Sequence, residues 1–130
     1  MAQNNKKLIL LADDEPDILK LYGGVLKDNG FEVIEASNGK EAIDLAKAKK
    51  PDLVLLDIKM PVMDGVETFY KLKEDPETKD MRIVFLTAFS DPVYPETDIR
   101  FAKEEGALDY IVKGLPLDEF VSKVKGYLNS

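Results

Sequence analysis

Five residues of this chain have types that could act together, and each stands just after a short apolar run. Asp13 and Asp14 follow "LILLA", Asp57 follows "LVLL", Thr87 follows "IVFL" and Lys113 follows "YIV". Two unit charges about 4 Å apart repel by about 1 kcal/mol in water and several-fold more near a protein surface. Three acids brought together therefore call for a cation among them. Oxygen ligands completed by water suit Mg²⁺, with Mn²⁺ as the alternative. A hydroxyl and an ammonium beside a metal-bound carboxylate suit a phosphoryl group, whose oxygens take a donor and a point charge. Asp57 is then the candidate nucleophile, because carboxylates form aspartyl-phosphates. Taken singly, an acid after a strand is most often a turn former or helix cap. "DD" before "EPD" also reads as the start of a helix, with Pro16 in its first turn. What favours a site is coincidence: four separate runs each end in a residue of the needed type.

The rest of the composition narrows the chemistry. The chain has no histidine and no cysteine. Imidazole catalysis, Ser-His-Asp triads, disulfides and thiolate metal sites are excluded. The net charge of −7 repels phosphate backbones and gives no support for direct binding of nucleic acid or an anionic membrane. The N-terminal "MAQNNKK" is polar and no long apolar run follows it. That pattern predicts neither a signal peptide nor membrane insertion, and a cytoplasmic protein.

The elements that must position these residues are legible as alternation. Apolar runs at Leu8 to Ala12, Val33 to Ala36, Leu53 to Leu56, Ile83 to Leu86 and Tyr110 to Val112 read as strands. Helical spacing separates them. Ile18, Tyr22, Val25 and Leu26 share one face, and Ala42, Leu45 and Ala46 another. Val66, Phe69, Tyr70 and Leu72 mark a third helix, Ile99 and Ala102 a fourth, and Phe120, Val121, Val124 and Leu128 a fifth. Asn38 is placed to cap the second helix. Five strand–helix units imply a parallel sheet with helices on both faces. Ligands of such sheets bind beyond the carboxyl ends of the strands, which is where the five residues stand. A length of 130 residues, 45% of them apolar and 33% charged, predicts one domain over residues 1–130, with its core at about residues 7–128.

At these positions the chain resembles the receiver domain of two-component response regulators. The motifs are "LLADDEPD" at Leu10 to Asp17, "LLDIKMPVMDG" at Leu55 to Gly65, "LTA" at Leu86 to Ala88 and "GALDYIVK" at Gly106 to Lys113. The resemblance implies a flavodoxin-like, doubly wound α/β fold with five helices and a five-stranded parallel sheet in the order 2-1-3-4-5. It makes Asp57 the phosphoacceptor. Asp14 would bind Mg²⁺ directly, Asp13 through water and Lys59 through its backbone carbonyl. Thr87 would donate to the phosphoryl group, and Lys113 would pair with one of its oxygens. Tyr110 would turn inward with Thr87 as a switch, altering the surface of the fourth helix, fifth strand and fifth helix. Pro61 and Gly65 would shape the loop after Asp57. The implied partners are a sensor histidine kinase or histidine phosphotransfer protein upstream, and a protein target or separate output domain downstream.

The chain departs from the family pattern in places. Gly114 stands where proline usually follows the lysine, so a trans Lys113–Gly114 bond is expected, with Pro116 in the first turn of the last helix. "AFSDPVYPETD" after Thr87 is longer than usual and reads as a surface insertion. Gly23 and Gly24, in the first helix, predict a close approach by another element. Lys59 and Phe89 occupy positions that tune phosphate lifetime in the family, and a bulky Phe89 predicts a long-lived adduct.

Two other readings compete. An aspartate-nucleophile hydrolase wants a second acid two residues after the nucleophile, where this chain has Lys59. A docking receiver that is never phosphorylated would require the Gly114 departure to disable the site. The chain also fits a receiver cut from a longer regulator.

Overall fold

The computed structural model describes residues 6–88, 104 and 106–129. Five strands are present: Leu8–Ala12 (β1), Glu32–Ala36 (β2), Leu53–Asp57 (β3), Ile83–Thr87 (β4) and Asp109–Val112 (β5). Every pairing is parallel and the order is β2-β1-β3-β4-β5, as expected. Four helices are described: Pro16–Asp28 (α1), Gly39–Lys49 (α2), Gly65–Glu74 (α3) and Leu117–Leu128 (α4). The last is the expected fifth helix. The helix expected around Ile99 and Ala102, the proline-containing loop and Phe89 lie outside the described residues.

The central strand β3 is buried along its whole length. Its side chains alternate between two cores, as the pleat requires. Val54 and Leu56 pack with Ala42, Ala46, Phe69 and Leu72 of α2 and α3. Leu53 and Leu55 pack with Tyr22, Leu26, Phe120 and Val124 of α1 and α4. A strand covered on both faces reads as a continuous apolar run, which is why "LVLL" shows no alternation. Such burial holds the backbone beneath Asp57 rigidly. Asn38 caps α2 by accepting the Glu41 backbone N–H at 2.9 Å.

Local departures have physical causes. β3 and β4 each run one residue further than expected, so Asp57 and Thr87 are the last strand residues rather than the first loop residues. Pro116 sits just before the first turn of α4. Gly23 is buried, and a Cβ there would lie 3.2 Å from the exposed Glu35 carboxylate, a neighbour that a side-chain rotation can move aside. Close packing does not explain Gly24, whose missing side chain faces open space. No peptide bond among the described residues is cis, so Lys113–Gly114 is trans as expected, and Gly114 takes φ +100°. That backbone conformation suits glycine and is closed to proline.

Val62 carries a cost. It is exposed and holds φ +69° in the loop after β3. The left-handed conformation costs an L-residue about 1–2 kcal/mol, and a β-branched side chain makes it worse. Glycine's extra freedom in the unfolded chain offsets about 0.5–1 kcal/mol of the relief. Val62→Gly should therefore raise stability by about 1 kcal/mol, read as a higher urea midpoint at constant slope. An unchanged or lower midpoint would show that the loop does not store this strain.

Candidate functional site

The parallel register brings four strand ends to one rim. Ala12 lies beside Leu56, Asp57 beside Leu86 and Thr87 beside Val112. Backbone hydrogen bonds continue past the strands: Asp13 N–H donates to Ala36 O at 3.0 Å and Lys113 N–H to Thr87 O at 2.8 Å. The side chains that follow therefore converge. Gly65 closes the loop after β3, donating its N–H to Ile58 O at 2.7 Å. A Cβ at that position would run into the Asp57 carbonyl oxygen, so the tight return needs glycine.

Carboxylate oxygens of Asp13, Asp14 and Asp57 lie within 4.8 Å of one another. Asp13 and Asp57 are buried, and Asp14 is exposed at the mouth. Lys113 enters the cluster from the end of β5. Its Nζ lies 2.8 Å from Asp13 Oδ2, 3.1 Å from Glu15 Oε1 and 3.2 Å from Asp57 Oδ1. Among these acids, the cation is a lysine of the chain itself. Thr87 is buried at the end of β4, its hydroxyl donating a long 3.4 Å hydrogen bond to the Ala88 carbonyl.

The electrostatics follow from this crowding. Burial pushes the Asp57 carboxyl up to about 7; the Asp13 charge adds to the rise and Lys113 opposes it. Burial also raises Asp13, against the pull of its Lys113 contact. Burial works against the Lys113 ammonium, but contacts with Asp13, Asp57 and Glu15 outweigh it and hold its pKa above the usual lysine value. The site carries more negative charge than one lysine neutralises.

The donor set fits a hard divalent cation. Three carboxylates supply oxygen ligands on an open rim. Asp13 Oδ2 is buried and has the Lys113 charge nearby, but no donor is aimed at it with hydrogen-bond geometry. A lone pair there remains available to a further ligand. Lys59, two residues after Asp57, is exposed. Tyr110, half-buried on β5, lies in register with Phe85 of β4. The structure thus brings Asp13, Asp14, Asp57, Lys113 and Glu15 together and sets Thr87 at the neighbouring strand end on the same rim.

Sequence reasoning missed Glu15. An acid just before Pro16 reads as a helix-start charge. Glu15 is the N-cap residue of α1, yet its side chain makes no capping hydrogen bond and turns to Lys113. The clue was available, since a glutamate is a poor cap.

The family model of the response regulator receiver domain matches residues 9–125, nearly the whole chain. The chain belongs to that family. It is a receiver domain of two-component signalling. Sporulation initiation phosphotransferase F of Bacillus subtilis is 39% identical over 121 residues, covering 92% of each chain. A CheY-like receiver domain protein from Methanospirillum hungatei matches at TM-score 0.84 and 27% identity, over 96% of this chain and 95% of that one. The receiver domain of a sensor histidine kinase from Pseudomonas aeruginosa matches at TM-score 0.83 over 96% of this chain and 99% of that one; its structure holds a magnesium ion in the active site cleft. At 23% identity that neighbour bears on the fold alone. Receiver domains as a family bind Mg²⁺ in an acidic pocket and interact with histidine kinases or phosphotransfer proteins. No helix among the described residues is long and apolar enough to cross a membrane.

Proposed function

We propose that this receiver domain accepts a phosphoryl group on Asp57 in a Mg²⁺-dependent reaction. The observation that carries the proposal is the convergence of a buried carboxylate, a partly buried lysine 3.2 Å from it and two further acids within 4.8 Å. In the transfer step an Asp57 carboxylate oxygen forms a bond to phosphorus. The bond from phosphorus to a histidine nitrogen of the donor breaks, and its electron pair leaves with that nitrogen. In a second, hydrolytic step, water adds to phosphorus, Asp57 leaves as a carboxylate and inorganic phosphate departs. The domain catalyses only these two steps.

Asp14, Asp57 and the Lys59 carbonyl would hold Mg²⁺ or Mn²⁺, with Asp13 acting through water. The metal supplies charge neutralisation on the phosphoryl oxygens and an orientation for in-line attack. Lys113 holds one phosphoryl oxygen and Thr87 donates its hydroxyl to another. The weak bond that Thr87 now makes is readily exchanged for that one. Its movement, followed by Tyr110, would shift the domain between two states and change the surface that a downstream target reads. The donor is a sensor histidine kinase or histidine phosphotransfer protein. The open groove beside α1, lined by Leu21, Gly24, Val25 and Leu117 together with Asp17, Lys20 and Asp28, offers it a docking strip of mixed apolar and charged character. That role would also account for Gly24.

Incubation with Mg²⁺ and acetyl phosphate, followed by intact mass measurement, tests the reading. One added phosphoryl group is expected, and none without the metal. Repeated turnover of phosphomonoesters would point instead to a hydrolase. Failure to add phosphate from any donor would point to a docking receiver.

A further inference from the structure

The Lys113 ammonium has three N–H donors, and three carboxylates surround it. The three acids differ in how easily they let go. Asp13 is buried, and its Oδ1 accepts the Glu15 backbone N–H at 2.9 Å. Asp57 is fixed by the buried end of β3. The Glu15 side chain is 59% exposed and holds no other hydrogen-bond role at the start of α1. It alone can swing into water at little cost.

Of the three contacts, the one to Glu15 is the hydrogen bond, at 3.1 Å, so a phosphoryl oxygen that takes that N–H must displace Glu15. We propose that Glu15 is a displaceable counter-ion of Lys113. Its carboxylate occupies the place on the ammonium that a phosphoryl oxygen takes, and so sets how readily the site admits an anionic phosphodonor. The inference rests on Asp57 being the phosphoacceptor and deepens that reading. Glu15 acts through Lys113 and is a positioning residue. Its negative charge opposes the donor twice, by holding the lysine and by repelling the incoming anion.

The effect falls on donor binding rather than on the chemical step. Exposed ion pairs are worth little, so Glu15→Gln should lower the acetyl phosphate concentration giving half-maximal rate by about two- to fivefold. The maximal rate at saturating donor and saturating Mg²⁺ should hold. Phosphoramidate, which carries less negative charge than acetyl phosphate, should gain less. High salt should shrink the difference.

The experiment compares the wild-type chain with Glu15→Gln and Glu15→Asp. Initial phosphorylation rates are measured against acetyl phosphate concentration, and beryllofluoride affinity by fluorine NMR, which requires no turnover. The expected result is a lower half-saturation point and tighter beryllofluoride binding in Glu15→Gln. Glu15→Asp should bind the donor less well than Glu15→Gln, because it keeps the repelling charge. Identical constants in wild type and Glu15→Gln overturn the inference, as does a fall in maximal rate alone. A wild-type chain that takes neither phosphate nor beryllofluoride overturns the phosphoacceptor reading itself, and the inference with it.

Discussion

Asp57→Asn raises the stability of the metal-free protein at pH 8. In the folded chain the Asp57 carboxyl is pushed up to about 7, against 3.8 ordinarily, first by burial and then by the Asp13 charge. Asp14 adds repulsion, while Lys113 pulls the other way. Between about pH 4 and pH 7 the folded state holds a proton that the unfolded chain has released. Stability then falls as pH rises through that window, and the loss is complete above it. The neutral amide removes the penalty. We expect a gain of about 2 kcal/mol at pH 8, after allowing for solvent screening at the open rim. Little gain is expected below pH 4, where the acid is protonated in both states. Urea titrations at several pH values in chelator check this. Equal gains at pH 4 and pH 8 would separate the effect from Asp57 ionisation. Asp14→Asn should change stability much less, because Asp14 is exposed. Mg²⁺ should raise the stability of the wild type by binding the native state, and should do so far less in Asp57→Asn.

Lys113→Met has the opposite sign. It removes the ammonium that lies within 3.2 Å of both buried acids. Breaking a buried pair costs about 3–5 kcal/mol when the remaining charge has no relief. Here the acids can take up protons and water reaches the rim, so about 2 kcal/mol at pH 8 is the expectation. At pH 5 the loss should be smaller, since Asp57 is already largely protonated there. Mg²⁺ should restore part of the stability, but phosphate uptake should still fall by about a hundredfold, as when one charge-stabilising donor is removed from an active site. Equal destabilisation at pH 5 and pH 8 would show that Lys113 acts by packing rather than by charge.

These two variants bracket what the sequence revealed. The apolar run Leu53 to Leu56 marked a strand buried on both faces, and in a parallel sheet such runs all end at one rim. That made Asp13, Asp14, Asp57, Thr87 and Lys113 legible as a group before any distance was known. Side-chain choice among partners was not legible. The three acids called for a cation among them, and Lys113 was expected on the same rim, but that its ammonium lies within 3.2 Å of both Asp13 and Asp57 could not be read from spacing. Glu15 was hidden because its position suited a helix start, and only the three-dimensional path of β5 brings Lys113 to it. Gly114 was recognised as a departure, but its φ of +100° depends on how the loop turns, and the spacing of apolar residues carries no such information. Gly23 and Gly24 looked alike in sequence; only the strands behind α1 distinguish them, with Glu35, Leu11 and Val33 within 4 Å of a Cβ on the first and open space facing the second.

The central claim is that phosphate is carried on the Asp57 carboxyl. Borohydride reduces an acyl phosphate to the alcohol and so converts a phosphorylated aspartate into homoserine. The chain should be incubated with Mg²⁺ and acetyl phosphate, reduced, digested and sequenced by mass spectrometry. The account predicts homoserine at position 57 and only in samples that received both metal and donor. Homoserine at another aspartate, or none anywhere despite a phosphate adduct on the intact chain, would contradict it.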